Sequence, residues 1–265
     1  MKLRTLIRWP GRPGSPTTGC PRLATLILSI LVLYVVQASA EVAGDRARLD
    51  DTGNCPQCDF RKAYLRGANL ESADLQGAYF WGANLKRANL KSANLKGAYL
   101  LGADLVAADM SGADLSLADL RGAFIKNARL NGVNLSGANL EQTYLEGSHL
   151  GGANLNAARI RRCSLEGTNL NRASLNGADL MGSRFLEASL RNADLTGSNL
   201  KGTSFRRADL RDANLSGADL GSDDWSDFFY GAVLDGAVWI DGSICGEGSV
   251  GQCRIRTTGR VAPSN

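Results

Sequence analysis

The chain has 265 residues and a formal charge of +4, with 44% hydrophobic residues, 6% aromatic residues and a single histidine. Five of its cations (Lys2, Arg4, Arg8, Arg12 and Arg22) lie in residues 1–40, which hold no acid, so the remainder carries −1. A body so near neutrality is neither a basic nucleic-acid binder nor a strongly acidic surface, and one histidine cannot supply a multi-histidine metal site.

The N-terminus reads as an export signal. A positive stretch runs to Arg22, an apolar run follows from Leu23 to Val36, and Ala38-Ser39-Ala40 supplies a small-x-small site before Glu41. That order predicts a secretory signal peptide over 1–40. The run of about fourteen residues is short against the ~20 needed to span a bilayer. The alternative is an uncleaved anchor with the positive flank inside, tethering the chain through residues 23–40 to the inner membrane and facing out. Both readings place the body in the periplasm or a comparable extracytoplasmic compartment, such as a thylakoid lumen. Cys20 precedes the apolar run instead of following it, so it is no lipoprotein site. Residues 41–54 read as a linker.

From Phe60 to Leu220 every fifth residue is large and apolar. Leu65, Leu70, Leu75, Phe80, Leu85, Leu90 and Leu95 begin the series, and Met110, Ile125, Ile160, Phe185 and Phe205 vary it. Two residues before each stands a small one: Ala63, Ala68, Ala73 and onward, with Val133, Thr143, Cys163 and Ser183 as substitutes. A repeat this regular decides the architecture. In an α-helix five residues advance ~500°, so the leucines would scatter around every side. In a flat strand the side-chain period is two, and an odd repeat would flip each leucine to the opposite face. The chain must therefore turn once per pentapeptide. The small residue and the large one point inward, the residue between them points out, and the fifth position is the corner. Glycine dominates there (Gly67, Gly77, Gly82, Gly97, Gly102), as a tight turn requires.

This pattern, Ala-(Asn/Asp)-Leu-x-Gly over residues 58–220, resembles the pentapeptide-repeat family. The resemblance implies an all-β, right-handed quadrilateral β-helix with four pentapeptides per coil. It implies about eight coils over 55–220, a rod roughly 40 Å long at ~4.8 Å per coil. Each buried leucine contributes on the order of 2 kcal/mol gross. A change such as Leu140→Asp is expected to be damaging. The resemblance also brings in a DNA-mimic role, since cytoplasmic relatives protect DNA gyrase from quinolones. The export signal and the near-neutral body oppose that alternative, because a mimic of a phosphate backbone needs dense negative charge.

Past Leu220 the period breaks at an aromatic and acidic interruption, 221–231. It resumes one residue out of register with Ala232/Leu234, Ala237/Trp239 and Gly242/Ile244. Residues 232–265 are expected to form a last partial coil and a cap. Trp225, Phe228, Phe229 and Tyr230 are expected to cover the open apolar end or to form a homodimer surface there. Cys245 and Cys253 flank a Gly-rich loop, and export favours their oxidation to a disulfide. Cys55 and Cys58 lie in Cys-Pro-Gln-Cys, read as a local disulfide or two free thiols; a redox motif lacks its βαβ setting. The two pairs sit at opposite ends of the rod, too far apart for one zinc ion. Cys163 occupies a small inward position as a filler.

Outward residues twenty apart stack in columns. Asp74, Asn94, Asp114, Asn134, Asn154, Ser174, Asp194 and Asn214 form a polar ladder. Another column brings Tyr79 and Tyr99 together, with Trp81 and Leu101 two residues on, an apolar cluster near one end that is a candidate partner-binding patch. Phe124 with Tyr144 and Arg129 with His149 are smaller groupings. No serine–histidine–acid set, paired carboxylates, cofactor motif or metal cluster is recognisable. The sequence points to a non-catalytic exported scaffold, against gyrase protection or an unrecognised envelope enzyme as the alternatives.

Overall fold

The computed structural model describes residues 44–221 and 226–255. The expected signal over residues 1–40, Trp225 and the last ten residues lie outside them. From Asn54 onward each outward residue pairs in parallel with the one twenty positions later, in an unbroken series from Asn54 with Asp74 to Asn199 with Asp219. The chain thus winds as a right-handed quadrilateral β-helix.

The pentapeptide explains itself through its backbone donors. In Ala93–Gly97, Ala93 N–H bonds back across the corner to Leu90 O at 3.2 Å. Asn94 N–H reaches Ala73 O in the preceding coil (2.9 Å), while Leu95 and Gly97 N–H reach Asp114 O and Ser116 O in the following one (2.7 and 2.8 Å). One donor remains, Lys96 N–H, and the side-chain Oδ1 of Asn94 accepts it at 3.2 Å. The Asn or Asp of the repeat is therefore an acceptor that completes the backbone's hydrogen bonding. At the corner the second residue has positive φ, as at Gly97 (64°), and non-glycine residues such as Arg87 (57°) and Leu117 (60°) are held there too. These strained non-glycine corners persist because bonds to both neighbouring coils over-determine the backbone.

Inward, the large and small residues are almost completely buried from Leu75 to Leu215. Aromatic rings plug both ends of the core. Phe60 stacks on Phe80 with centroids 5.1 Å apart, and Phe185, Phe205 and Phe229 stack at 5.0 and 5.2 Å, with Trp239 edge-on to Phe229 at 5.3 Å.

Both ends depart from expectation. Residues 44–52 are a helix, α1, and not a linker. Its single large apolar residue, Leu49, is buried in the core, and Asp45 Oδ2 accepts the free N–H of Asp59 at 2.7 Å. The first coil has no coil before it, so a helix supplies the missing apolar cover and the missing acceptor. At the other end the interruption inserts four residues: outward pairing resumes with Asp209 to Val233 and Asn214 to Val238, twenty-four apart. Phe229 is thus an inward residue of the last coil, fully buried over Phe205, so it closes the apolar end from within and is not available as a dimer surface. Gly242/Ile244 does not continue the repeat. The chain reverses there, Val238 pairs antiparallel with Ile244 and Val233 with Val250, and Ile244 is left exposed. This C-terminal hairpin carries the Cys245–Cys253 disulfide. Among the described residues no helix is long and apolar enough to cross a membrane.

Candidate functional site

The four columns of outward residues differ in what they offer. The ladder from Asp74 to Asn214 is self-satisfied. Asn94 Nδ2 donates to Asp74 Oδ1, Asn134 Nδ2 to Asp114 Oδ1 and Asn154 Nδ2 to Asn134 Oδ1, at 2.9, 3.0 and 3.2 Å. Its oxygens also take the N–H two residues on, as Ser116 and Ser136 show. Groups so occupied have little left for a ligand.

The neighbouring column runs Asp59, Tyr79, Tyr99, Asp119. The two tyrosine rings lie parallel, 4.9 Å apart and 4° out of plane, and a tyrosine has no oxygen that could serve the next N–H. Trp81 and Leu101 stand at the adjoining corner, 47% and 37% exposed, and Lys62 Nζ lies 5.1 Å from the Trp81 ring. The geometry therefore brings together the four apolar residues Tyr79, Trp81, Tyr99 and Leu101. Helix α1 does not cover them.

Ion pairs rim this patch along the rod. Arg61 forks onto Asp59 at one side and Arg121 onto Asp119 at the other, where Nε and Nη2 lie 2.9 and 2.6 Å from the carboxylate. The arginine hydrogen bond holds each carboxyl below its ordinary range, with burial opposing. Beside Tyr79 a small cleft opens between α1 and the first coil, lined by Asp45, Gln57, Asp59 and Arg61. The arrangement is an apolar centre with a charged rim.

The remaining candidates behave differently. Phe228 is half-buried, while Tyr230 is exposed with the Arg206 guanidinium 5.3 Å from its ring. Cys55 and Cys58 are joined, and both are buried. Asp45 lies against them, but sulfurs bonded to each other are not thiolate ligands. Cys163 is free, and its Sγ donates to Leu140 O at 2.8 Å; burial pushes the thiol up to about 12, so it stays protonated and unreactive. Arg129 and His149 pair through backbone, while the Arg129 guanidinium turns to Asp109 at 3.6 Å. Sequence reasoning missed one feature, a run of hydroxyls on a single inward column. Thr143, Ser183 and Thr203 each donate to the carbonyl of the large inward residue in the preceding coil (Leu120, Ile160 and Leu180), as Cys163 does to Leu140. Being satisfied, they are structural.

Family models described as pentapeptide repeats, in eight copies, match residues 53–82, 83–122 and 113–152, and a pentapeptide repeat region matches 145–215. No curated protein matches at a significant level. Among solved structures, HetL from the cyanobacterium Nostoc sp., a pentapeptide repeat protein involved in heterocyst differentiation regulation, is 30% identical with a TM-score of 0.57, covering 76% of this chain and 98% of its own. QnrB1, a plasmid-mediated fluoroquinolone resistance protein, is 18% identical with a TM-score of 0.35, covering 66% and 85%. Rfr23 from the cyanobacterium Cyanothece is 29% identical with a TM-score of 0.26, covering 51% and 92%. Superpositions as loose as the last two carry no argument.

Proposed function

The chain belongs to the pentapeptide-repeat family, and from that premise we propose that it is a non-catalytic scaffold, exported to the periplasm or a comparable compartment, that captures a protein partner on the Tyr79/Trp81/Tyr99/Leu101 face. One observation carries the reading. On a rod whose outward positions are otherwise mostly short, polar and mutually bonded, four large apolar side chains are gathered on one face within two coils and left in water. Burying them would release that apolar surface at ~25 cal/mol per Å². The patch is only two coils high, about 10 Å. A stable interface takes about 800 Å² per partner, so the partner extends onto the polar columns beside it or binds transiently.

Export is supported by the order of charge, apolar run and small-x-small site in residues 1–40, and two disulfides suit an oxidising compartment. A double variant Trp81→Ala/Tyr99→Ala is expected to stay folded with a cooperative melt, at a cost of about 1 kcal/mol for the lost ring pair, and to lose partners captured from a cell-envelope extract, with Asn139→Ala on the same column as a control. Undiminished capture removes the patch from the proposal. Fusion of residues 1–60 to a reporter active only outside the cytoplasm tests export independently; a silent reporter revives the gyrase alternative.

A further inference from the structure

A second site stands on another face and does not depend on the reading above. Its column runs Asp104, Phe124, Tyr144, Ser164, Arg184, Ser204, each paired with the next one coil on. Phe124 and Tyr144 stack with centroids 5.1 Å apart and planes within 4°. Continued at that spacing, the next ring would stand over position 164. There the sequence has Ser164, whose short side chain is buried, and only one coil further does a long planar group return, the Arg184 guanidinium. The column is a stack with one member missing.

The gap has the right dimension. Two steps of a stack tilted like Phe124 on Tyr144 leave space for a single flat ring, because planar π systems meet at about 3.5 Å between planes while coils repeat every ~4.8 Å. Tyr144, Arg162, Cys163, Ser164, Gly182 and Arg184 line one depression. Gly182 turns the corner at φ 70°, and a Cβ there would stand in ordinary contact with Arg162 Cγ, 3.6 Å away, so the Arg162 stem lies against the corner of the next coil beside the gap. Neither Arg162 nor Arg184 forms an ion pair among the described residues. By contrast Arg161 next door is bound to Asp179, and Lys126 at the lower edge to Glu146. Glu166 holds the position relative to Arg184 that Lys86 holds relative to its partner Asp104, yet no such pair forms.

We propose that this gap is a binding slot for a planar aromatic anion, its ring inserted between Tyr144 and Arg184 above Ser164 and its carboxylate or phosphate held by Arg162. A guanidinium lies flat on an aromatic face and an unpaired one forks onto an anion, so the two arginines suit the two parts of such a ligand. The floor contributes no reactive group, which makes this a site of binding and not of turnover.

The test is ligand-observed NMR and calorimetric titration of the full folded protein with three probes: benzoate, indole-3-acetate and a purine nucleoside monophosphate. The carboxylate and phosphate probes separate the two sources of anion, and benzyl alcohol serves as the uncharged ring. Saturable binding of an anionic probe, with benzyl alcohol roughly tenfold weaker, is expected. Ser164→Tyr supplies the missing ring from the protein itself; it is expected to raise the melting temperature and abolish binding. Arg162→Gln, which leaves the stack intact, is expected to weaken the anionic probe roughly tenfold and to leave benzyl alcohol unchanged. Binding that survives Ser164→Tyr, or the absence of saturable binding of every anionic probe to the wild type, overturns the proposal. Should Ser164→Tyr misfold, Arg162→Gln decides alone: equal affinity for anionic and neutral rings in that variant and in the wild type also overturns it.

Discussion

Two adjacent columns of the same rod, the ladder from Asp74 to Asn214 and the column that carries Tyr79 and Tyr99, sit on the same backbone and over the same kind of core. On the ladder the Oδ1 of an Asn or Asp accepts the N–H two residues on, and the amides of Asn94, Asn134 and Asn154 donate to the coil before. At Tyr79 and Tyr99 both bonds are given up, and two rings stack in water instead. A net hydrogen bond is worth about 1 kcal/mol and an aromatic pair about the same. The exchange brings no clear gain in stability, which is why the aromatic column is read as a surface kept for contact.

The core beneath should not register the difference, and the largest effects test that. Phe80→Ala lies under the aromatic column and Leu95→Ala under the ladder, and both side chains are fully buried. Each is expected to lower unfolding free energy by about 2–5 kcal/mol in urea denaturation. A much milder loss at Phe80 would mean that the aromatic face is locally loose, and would break the comparison.

One step smaller is the ladder itself. Asn134 donates to Asp114, and its Oδ1 accepts from both Ser136 N–H and Asn154 Nδ2. Asn134→Ala is expected to cost about 1–3 kcal/mol by the same measurement, because partly buried partners are left without bonds. Tyr79→Asn with Tyr99→Asn turns the aromatic column into ladder. It is expected to stay within about 1 kcal/mol of wild type, since two regained side-chain acceptors offset one lost ring pair. A loss as large as that of Asn134→Ala would show that the rings are structural and would weaken the proposed partner surface.

How far these columns were legible follows from what is periodic. A period of five sets the turn, the burial and the twenty-residue column spacing, so residues 55–220 could be read from the chain, and with them the meeting of Tyr79, Trp81, Tyr99 and Leu101. The ends could not. A single apolar residue in α1, Leu49, leaves no amphipathic pattern to find, and its role comes from a neighbour in space, the uncovered first coil. Ile244 keeps the spacing of the repeat but follows Gly242, at which the chain reverses. Phe229 reads as one of four cap or dimer-surface aromatics until the four-residue insertion places it above Phe205, inside the last coil. The slot at Ser164 escaped because serine is an ordinary ladder residue; only its place between Tyr144 and Arg184 gives it meaning.

The smallest expected effect is electrostatic and lies where the two kinds of column meet. Asp119 closes the aromatic patch, and the Arg121 hydrogen bond holds its carboxyl below the ordinary value of 3.8, with burial opposing. An acid depressed in the folded state contributes stability that is complete above its unfolded value and is lost as pH falls through its folded one. Asp119→Asn keeps an oxygen for Arg121 N–H, so it removes the charge and spares the turn. The variant should therefore match wild type less well near neutrality than in strong acid, where wild-type Asp119 is itself protonated. Melting temperatures taken from about pH 7 down to about pH 2 should converge below pH ~4, with a small separation above it because the pair is half in water. A constant offset across that range would show that the substitution acts through packing, and Asp119–Arg121 would then be a steric rim and not a charged one.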